Sequence, residues 1–340
     1  MSSEEDDDQI STADTMRERA DESKLKLWLL LGANRQLVTG VLTAAFFGLF
    51  MLGSLLEPTL SDLLQDPGVI ESLYAQMIGA LITGVTLVVT ISQLIISQEN
   101  GPLGEQRTRM SETLDFRDYI KELTDKPAPA DPSAFLREII DATQQRANTL
   151  DEAMESTDNE DLRDEVNEFV DSITGNAETV REKLDGAKFG TFSVVHASMD
   201  YNYSWNIFQI ERLLADYEDD IDEEQRDALE DLRTSFAMFG PAREHIKTLY
   251  FQWELINLSL YILYAAIPAL LVSGLMLTFV DATTFTGMIL GVETLLWVVA
   301  ITFTITLVPF FLLTSYIMRV ATTAKRTLAI GPLILRDSQR

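Results

Sequence analysis

The chain alternates between long apolar stretches and strongly polar segments. Four apolar stretches reach or exceed the roughly 20 residues that an α-helix needs to cross the hydrocarbon core of a bilayer. None of them has Lys, Arg or Asp in its interior, and they form two pairs separated by a long polar region. They predict an integral membrane protein with four transmembrane helices, at Leu37–Leu56, Leu73–Ser97, Leu255–Val280 and Thr294–Ile317.

The polar region between the two pairs shows helical spacing of its apolar residues and no sustained alternation typical of strands. The pattern therefore predicts an all-α protein, with a cytoplasmic helical bundle inserted between spans two and three. Ser133 is the candidate N-cap of the second of these helices. The last one is expected to begin at Pro241 and to continue into span three. The predicted helices before it are Leu103–Thr124, Ala134–Glu155, Glu160–Thr174, Ala177–Ala187, Phe189–Tyr217 and Glu223–Phe239.

The composition changes at four points along the chain, which divides it into five segments. The stretch Ser23–Leu31 carries bases, Trp28 and leucines, so it is either a short helix at the membrane interface or an inward extension of span one. The segments are an acidic disordered tail (1–22), the interfacial helix with spans one and two (23–98), the cytoplasmic helical domain (99–250), spans three and four (251–318) and a cytoplasmic C-terminal tail (319–340).

The flanks of the spans differ in charge. The two connectors inside the span pairs, Glu57–Ser72 and Asp281–Glu293, contain acids and no base. The other ends of all four spans carry bases, and the positive-inside rule makes that side cytoplasmic. We therefore expect a multi-pass plasma-membrane protein with both termini in the cytoplasm. The bases are Lys24, Lys26, Arg35, Arg107, Arg109, Arg243, Lys247, Arg319, Lys325 and Arg326, of which Arg107 and Arg109 are the expected inner-face anchors on lipid phosphates.

The chain is very acidic: 53 Asp and Glu face 26 Lys and Arg, which gives a formal net charge of −27. In molar salt the Debye length is about 3 Å, so the self-repulsion of such a surface is largely screened. The excess of acids predicts a halophilic archaeal source, in which carboxylates keep the protein hydrated. It argues against nucleic acid as a partner.

Span two carries the most informative pattern. Polar and small residues recur at spacings of three and four along the whole helix, while the opposite face is apolar. Lipid cannot satisfy such a polar seam, so it must face protein or water. Three interpretations stay open: packing against the other spans of the same subunit, a contact between subunits, or the lining of a pore in an oligomer. The seam consists of Gln76, Gly79, Thr83, Thr86, Thr90, Gln93 and Ser97.

Two further features concern helix packing. Span one has a small-residue stripe, Gly40, Ala44 and Gly48, suited to close helix contact. Pro268 in span three and Pro309 in span four each remove one backbone hydrogen bond and predict helix kinks.

Catalytic and cofactor signatures are missing from the sequence. The chain has no Cys and two His, which rules out disulfides, thiolate metal sites and a zinc site of histidines alone. It has no phosphate-binding glycine loop, no nucleophile elbow and no zinc-protease motif. We therefore predict a non-enzyme without cofactor or metal.

The segment that leaves span two, Ser97–Met110 (SQENGPLGEQRTRM), resembles one in uncharacterised multi-pass membrane proteins of haloarchaea. The layout of two spans, a helical insert and two spans also fits that family, which implies no known activity. The layout is loosely similar to that of bestrophin-type anion channels, without their pore-neck pattern, so the similarity is one of fold alone.

Two functions are consistent with these patterns. The first is an oligomeric membrane channel whose pore is lined by the seam of span two, with the lipid bilayer and further copies of the chain as partners. The alternative is a non-conducting, membrane-anchored scaffold or signalling adaptor. In that case a cytoplasmic protein partner would dock on the aromatic-rich helix, Phe189–Tyr217, and its neighbours.

Overall fold

The computed structural model of the chain describes residue 26 and residues 28–56, 64–188 and 191–326. The predicted acidic tail, 1–22, lies outside these residues. The described part is almost entirely helical. It begins with a π-helical turn, Trp28–Gly32, and continues with α1 (Arg35–Leu56), α2 (Pro67–Glu99), α3 (Leu103–Thr124), α4 (Pro132–Met154), α5 (Glu160–Leu184), α6 (Phe192–Met199), α7 (Tyr203–Asp216), α8 (Glu223–Phe279), β1 (Met288–Ile289), β2 (Val292–Glu293) and α9 (Thr294–Arg326).

Four helices are long and apolar enough to cross a membrane: α1, α2, α8 and α9. They coincide with the four predicted spans, and three of them extend well beyond the apolar stretches. The two strands form one antiparallel hairpin of two residue pairs, which the sequence did not predict. The all-α class therefore describes the chain apart from this short hairpin.

The chain forms two compact units. Trp28–Gly101 and Phe251–Thr323 make up one of them, called the span unit below. Pro102–Tyr250 belongs to the other, called the inserted unit. The divisions fall beside the sequence boundaries at 98/99 and 250/251.

The core of the span unit has two apolar clusters. One surrounds Tyr74 and contains Ile70, Met276, Leu296 and Val299. The other contains Val88, Leu258, Ile262, Leu312 and Tyr316. Residues of α2, α8 and α9 meet in both clusters, so these three helices pack together along their length.

The predicted breaks within the inserted unit are in part wrong. Helix α5 runs without interruption through Gly175, where two helices were expected. Helix α8 likewise runs through Gly240-Pro241, where the sequence predicted an end. In a helix interior a glycine costs about 1 kcal/mol and a proline about 3 kcal/mol, and the buried apolar residues on both sides outweigh these costs. Gly240 has a packing role, since a Cβ there would lie 3.1 Å from the ring of Tyr203.

The aromatic-rich stretch forms two helices where one long helix was predicted. The chain leaves the helical path between Met199 and Tyr203, and the side chain of Asn176 replaces the missing helix bonds. Its amide donates to the Asp200 carbonyl at 2.9 Å and accepts from the Asn202 N–H at 3.1 Å. Lys183 pairs with the buried Asp200 carboxylate at 2.7 Å. Buried polar groups are thus paired where the helix stops.

Helix α4 is capped by Asp131, and the prediction of Ser133 as N-cap is wrong. The Asp131 carboxylate accepts the Ala134 N–H at 3.0 Å and the Ser133 hydroxyl at 2.6 Å. Pro132 occupies the first helical position, where a missing N–H costs nothing. These two hydrogen bonds, the one from Ser133 first, hold the pKa of Asp131 below its usual range, so the cap stays ionised.

Candidate functional site

Helix α2 buries one face in the span unit. Besides Ile70, its buried apolar residues Tyr74, Leu81, Val88 and Ile95 follow one another at intervals of seven. This is the spacing of one position in a heptad, which keeps a helix face in contact with its neighbours. The packed face is therefore the apolar one, whereas the sequence analysis placed the contact with protein or water on the polar seam.

The polar seam lies on the other side of α2 and is exposed along its whole length. Gln76, Gly79, Thr83, Thr86, Thr90, Gln93 and Ser97 are all exposed. Only 17% of the most apolar window of α2 is buried, against 44% for α9, so α2 is the least enclosed of the four long apolar helices. Packing of the seam against the other spans of the same chain does not agree with this arrangement. The seam is free to contact a second copy or water.

The seam hydroxyls bond to their own helix. Thr83, Thr86 and Thr90 donate to the carbonyls of Gly79, Ile82 and Thr86, at 2.9, 2.8 and 2.8 Å. A hydroxyl that donates its only proton keeps its lone pairs as acceptors. The three threonines therefore present hydroxyl oxygens, and no donor, on the exposed side of the helix.

The two amides stand toward the ends of the seam. Gln76 donates to the Ser72 hydroxyl at 3.0 Å, and the side chain of Gln93 is exposed. With a rise of 1.5 Å per residue, Gln76 and Gln93 are separated by about 26 Å along the helix axis. An amide has four hydrogen-bonding positions, and a single hydroxyl partner leaves most of them without a protein contact.

Two polar contacts on the packed side of α2 were missed by the sequence reading. The Tyr74 hydroxyl meets that of Thr302 at 2.5 Å. Ser92 meets Ser259 of α8 through their hydroxyls. Single Ser and Thr residues are common in apolar helices, so the sequence offered no signal for these pairs.

A buried arginine pair lies at one end of the span unit. Arg35, only 3% exposed, donates to the carbonyls of Ala33, Leu29 and Ser315 at 2.7, 2.8 and 3.1 Å. Arg319 donates to the same Ala33 carbonyl and lies 3.5 Å from Glu254. Both were predicted as flanking bases of the spans; the structure gives them the additional role of joining the π-helical turn, α1, α8 and α9.

The other predicted residues fall in separate places. Arg107 and Arg109 are exposed on α3 of the inserted unit. Pro268 and Pro309 lie inside the continuous helices α8 and α9. The small-residue stripe of α1 borders an open groove of about 580 Å³ against α9, and a Cβ at Gly40 or Gly48 would meet nothing within 4 Å. Among the described residues, no group of His, Asp and Glu could hold a metal ion.

Several aromatic residues of the inserted unit belong to its core, whereas Phe208 and Tyr119 are 38% and 57% exposed. Tyr201, Tyr203 and Trp205 are at most 7% exposed. The rings of Tyr201 and Phe239 are 4.5 Å apart, and the Arg243 guanidinium lies 4.9 Å from the Tyr203 ring. Burial raises the pKa of Tyr201 well above its usual range. These side chains form a packed interior and not an exposed docking surface; Phe189 lies outside the described residues.

The comparison with known families agrees with the expected membership of an uncharacterised group. A family model described as "Family of unknown function (DUF7972)" matches residues 1–340, the full length of the sequence. No curated protein and no solved structure matches the chain.

Proposed function

Because the chain belongs to the DUF7972 family, whose function is unknown, we propose a function from the span unit itself. The protein is an integral plasma-membrane protein with both termini in the cytoplasm. It assembles with copies of itself and conducts monovalent cations along the polar seam of α2. The acid-only connectors and the basic flanks support this orientation. The large excess of carboxylates supports a halophilic archaeal source.

The observation that carries the proposal is the exposure of the seam opposite a well-packed apolar face. In a bilayer, an isolated chain would present Gln76, Gln93 and a row of threonines to hydrocarbon. Each unsatisfied polar group there costs several kcal/mol. The threonines reduce this cost by bonding to their own helix, but the two amides cannot do so fully. A second copy or a water-filled path removes the cost, and a ring of copies around the seam supplies both.

The hydroxyl oxygens favour a cation as the permeating species. In a ring of subunits, Thr83, Thr86 and Thr90 would form three layers of acceptors, about 4.5 and 6 Å apart along the axis. Neutral oxygens replace part of the hydration shell of a cation without trapping it, as conduction requires. An anion would find no donor among these three layers.

Acidic residues before or at the start of α2 and after α8 contribute little to selectivity. Asp66 and Glu71 precede or begin α2, and hydrogen bonds from Thr283 and Thr284 hold the pKa of Asp281 below its usual range. Carboxylates attract cations. In molar salt the Debye length is about 3 Å, so this attraction does not reach across a pore. Selectivity in this proposal therefore rests on the threonine layers.

A dilution potential tests the proposal. Vesicles containing the purified protein and molar KCl are diluted into low KCl with sucrose, and a voltage-sensitive dye reports the potential. Cation conduction makes the interior negative, which is the expected result. A positive interior would contradict the assignment to cations, and a potential equal to that of protein-free vesicles would contradict conduction altogether.

The scaffold function is the second candidate, and an exposed helix face in the inserted unit favours it. Leu103, Met110 and Leu114 of α3 are 86%, 62% and 51% exposed and lie at helical spacing on one face. Phe208 is the most exposed of the described aromatic residues first considered for docking, at 38%, so α3 offers the larger apolar surface for a protein partner. A protein without conductance that retains a partner through these three residues would support this candidate.

A further inference from the structure

The hairpin that joins α8 to α9 ends in an apolar tip. Met288, Ile289 and Leu290 are 75%, 50% and 89% exposed, and Phe285 just before them is 36% exposed. From Ala282 to Val292 the sequence has no charged residue. In a chain with 53 acidic residues, an exposed apolar surface of this kind indicates contact with something other than water.

The backbone of the tip strengthens the argument. The hairpin turns through Leu290 and Gly291, both with positive φ, of 53° and 79°. A two-residue turn of this kind favours Asn, Asp or Gly at both positions. A leucine there has an unfavourable backbone conformation, costing about 1–2 kcal/mol. In water its exposed side chain would add a second disadvantage. An apolar environment around the tip accounts for Leu at a position where Asn suits the backbone better.

The hairpin is fixed to the first turns of α9. The Thr294 N–H donates to the Gly287 carbonyl at 3.0 Å, and the indole N–H of Trp297 donates to the Ile289 carbonyl at 3.1 Å. Four residues of chain reach at most about 14 Å, so Leu290 stays close to the start of a helix long and apolar enough to span the membrane. Tryptophan with an apolar ring and a bonded N–H is typical of the membrane interface.

We propose that the hairpin tip inserts into the interfacial region of the lipid bilayer and anchors the outer ends of α8 and α9. This inference rests on the membrane placement in the proposed function, but not on conduction. The occupant is lipid because the hairpin is bonded to a membrane-spanning helix and adjoins the exposed apolar end of α8, where Phe279 is 70% exposed. Lipid is present at that level without any further partner.

The natural absence of cysteine allows a direct test with single nitroxide labels. Leu290→Cys reports on the tip, Thr283→Cys on the start of the same connector, and Leu271→Cys on the exposed side of α8. The full-length protein is reconstituted in phosphatidylglycerol–phosphatidylcholine vesicles in molar KCl. Electron paramagnetic resonance then compares collisions with oxygen, which enriches in lipid, and with a water-soluble nickel chelate.

The labels at Leu290 and Leu271 are expected to collide mainly with oxygen, and the label at Thr283 mainly with the nickel chelate. If the Leu290 label collides with nickel as often as the Thr283 label does, the inference is overturned. Membrane placement would still stand in that case, provided that the Leu271 label collides mainly with oxygen. Shielding of the Leu290 label from both reagents would also overturn the inference, because the tip would then contact protein. A nickel-accessible Leu271 label would refute the membrane placement itself.

Discussion

Replacing Thr86 and Thr90 together by valine is expected to lower at least tenfold the rate at which the K⁺ dilution potential develops. Valine keeps the shape of threonine but removes the hydroxyl oxygen, which is bonded to the carbonyl one turn earlier and has free lone pairs. Each lost polar contact is worth about 0.5–1.5 kcal/mol. Because both layers repeat in every subunit of a ring, the combined loss exceeds the 1.4 kcal/mol that corresponds to a factor of ten.

The matched control is Thr314→Val on α9, whose hydroxyl bonds to the Phe310 carbonyl in the same way, at 2.9 Å. This variant should conduct like the natural protein. Thr86→Ser with Thr90→Ser keeps the oxygens and should also conduct. Equal flux in the valine and serine variants would show that the hydroxyls do not contact the permeating ion, and the pore would then have to lie elsewhere.

The second large effect concerns Arg35. Arg35→Leu removes the side-chain donor of the Leu29 and Ser315 carbonyls and leaves the Ala33 carbonyl with Arg319 alone. Each hydrogen bond to a charged group is worth about 1.5–3 kcal/mol, so losing the two unshared ones costs about 3–5 kcal/mol. For a unit of this size, that corresponds to a fall in melting temperature of about 10 °C.

Thermal unfolding followed by circular dichroism in detergent and molar KCl measures this effect. Arg35→Lys should rescue little, because a single ammonium cannot reproduce the planar fork of donors. Arg109→Leu, a change at an exposed arginine of α3, serves as the control and should leave the melting temperature almost unchanged. Equal stability of the Arg35 and Arg109 variants would mean that Arg35 is only a charged flank.

The spans and the seam could be predicted from the sequence because the spans follow from the length of apolar stretches and the seam from periodicity along one helix. The interval of three and four residues from Gln76 to Ser97 defines one face wherever the helix is placed. That the opposite face packs did not follow from the sequence, since lipid satisfies an apolar face as well as protein does. What the sequence could not decide was which neighbour the seam meets, because that depends on where α1, α8 and α9 lie.

The misread helix ends have a common physical reason. Gly175 and Gly240-Pro241 are local helix-breaking signals, but packing on both sides outweighs them. The break at Asp200–Asn202 carries no such signal, because it is stabilised by the amide of Asn176, more than twenty residues earlier in the chain. Tertiary contacts of this kind are invisible to local propensity. The burial of Arg35 escaped prediction for the same reason.

The mass of the purified particle in lipid nanodiscs and molar KCl tests the oligomeric pore most directly. A closed ring of about four or more copies is expected, since the exposed seam of α2 must meet other copies and enclose a water-filled path. A particle that contains one copy would contradict a shared pore. The exposed amides of Gln76 and Gln93 would then have to be satisfied by lipid headgroups or by a different protein.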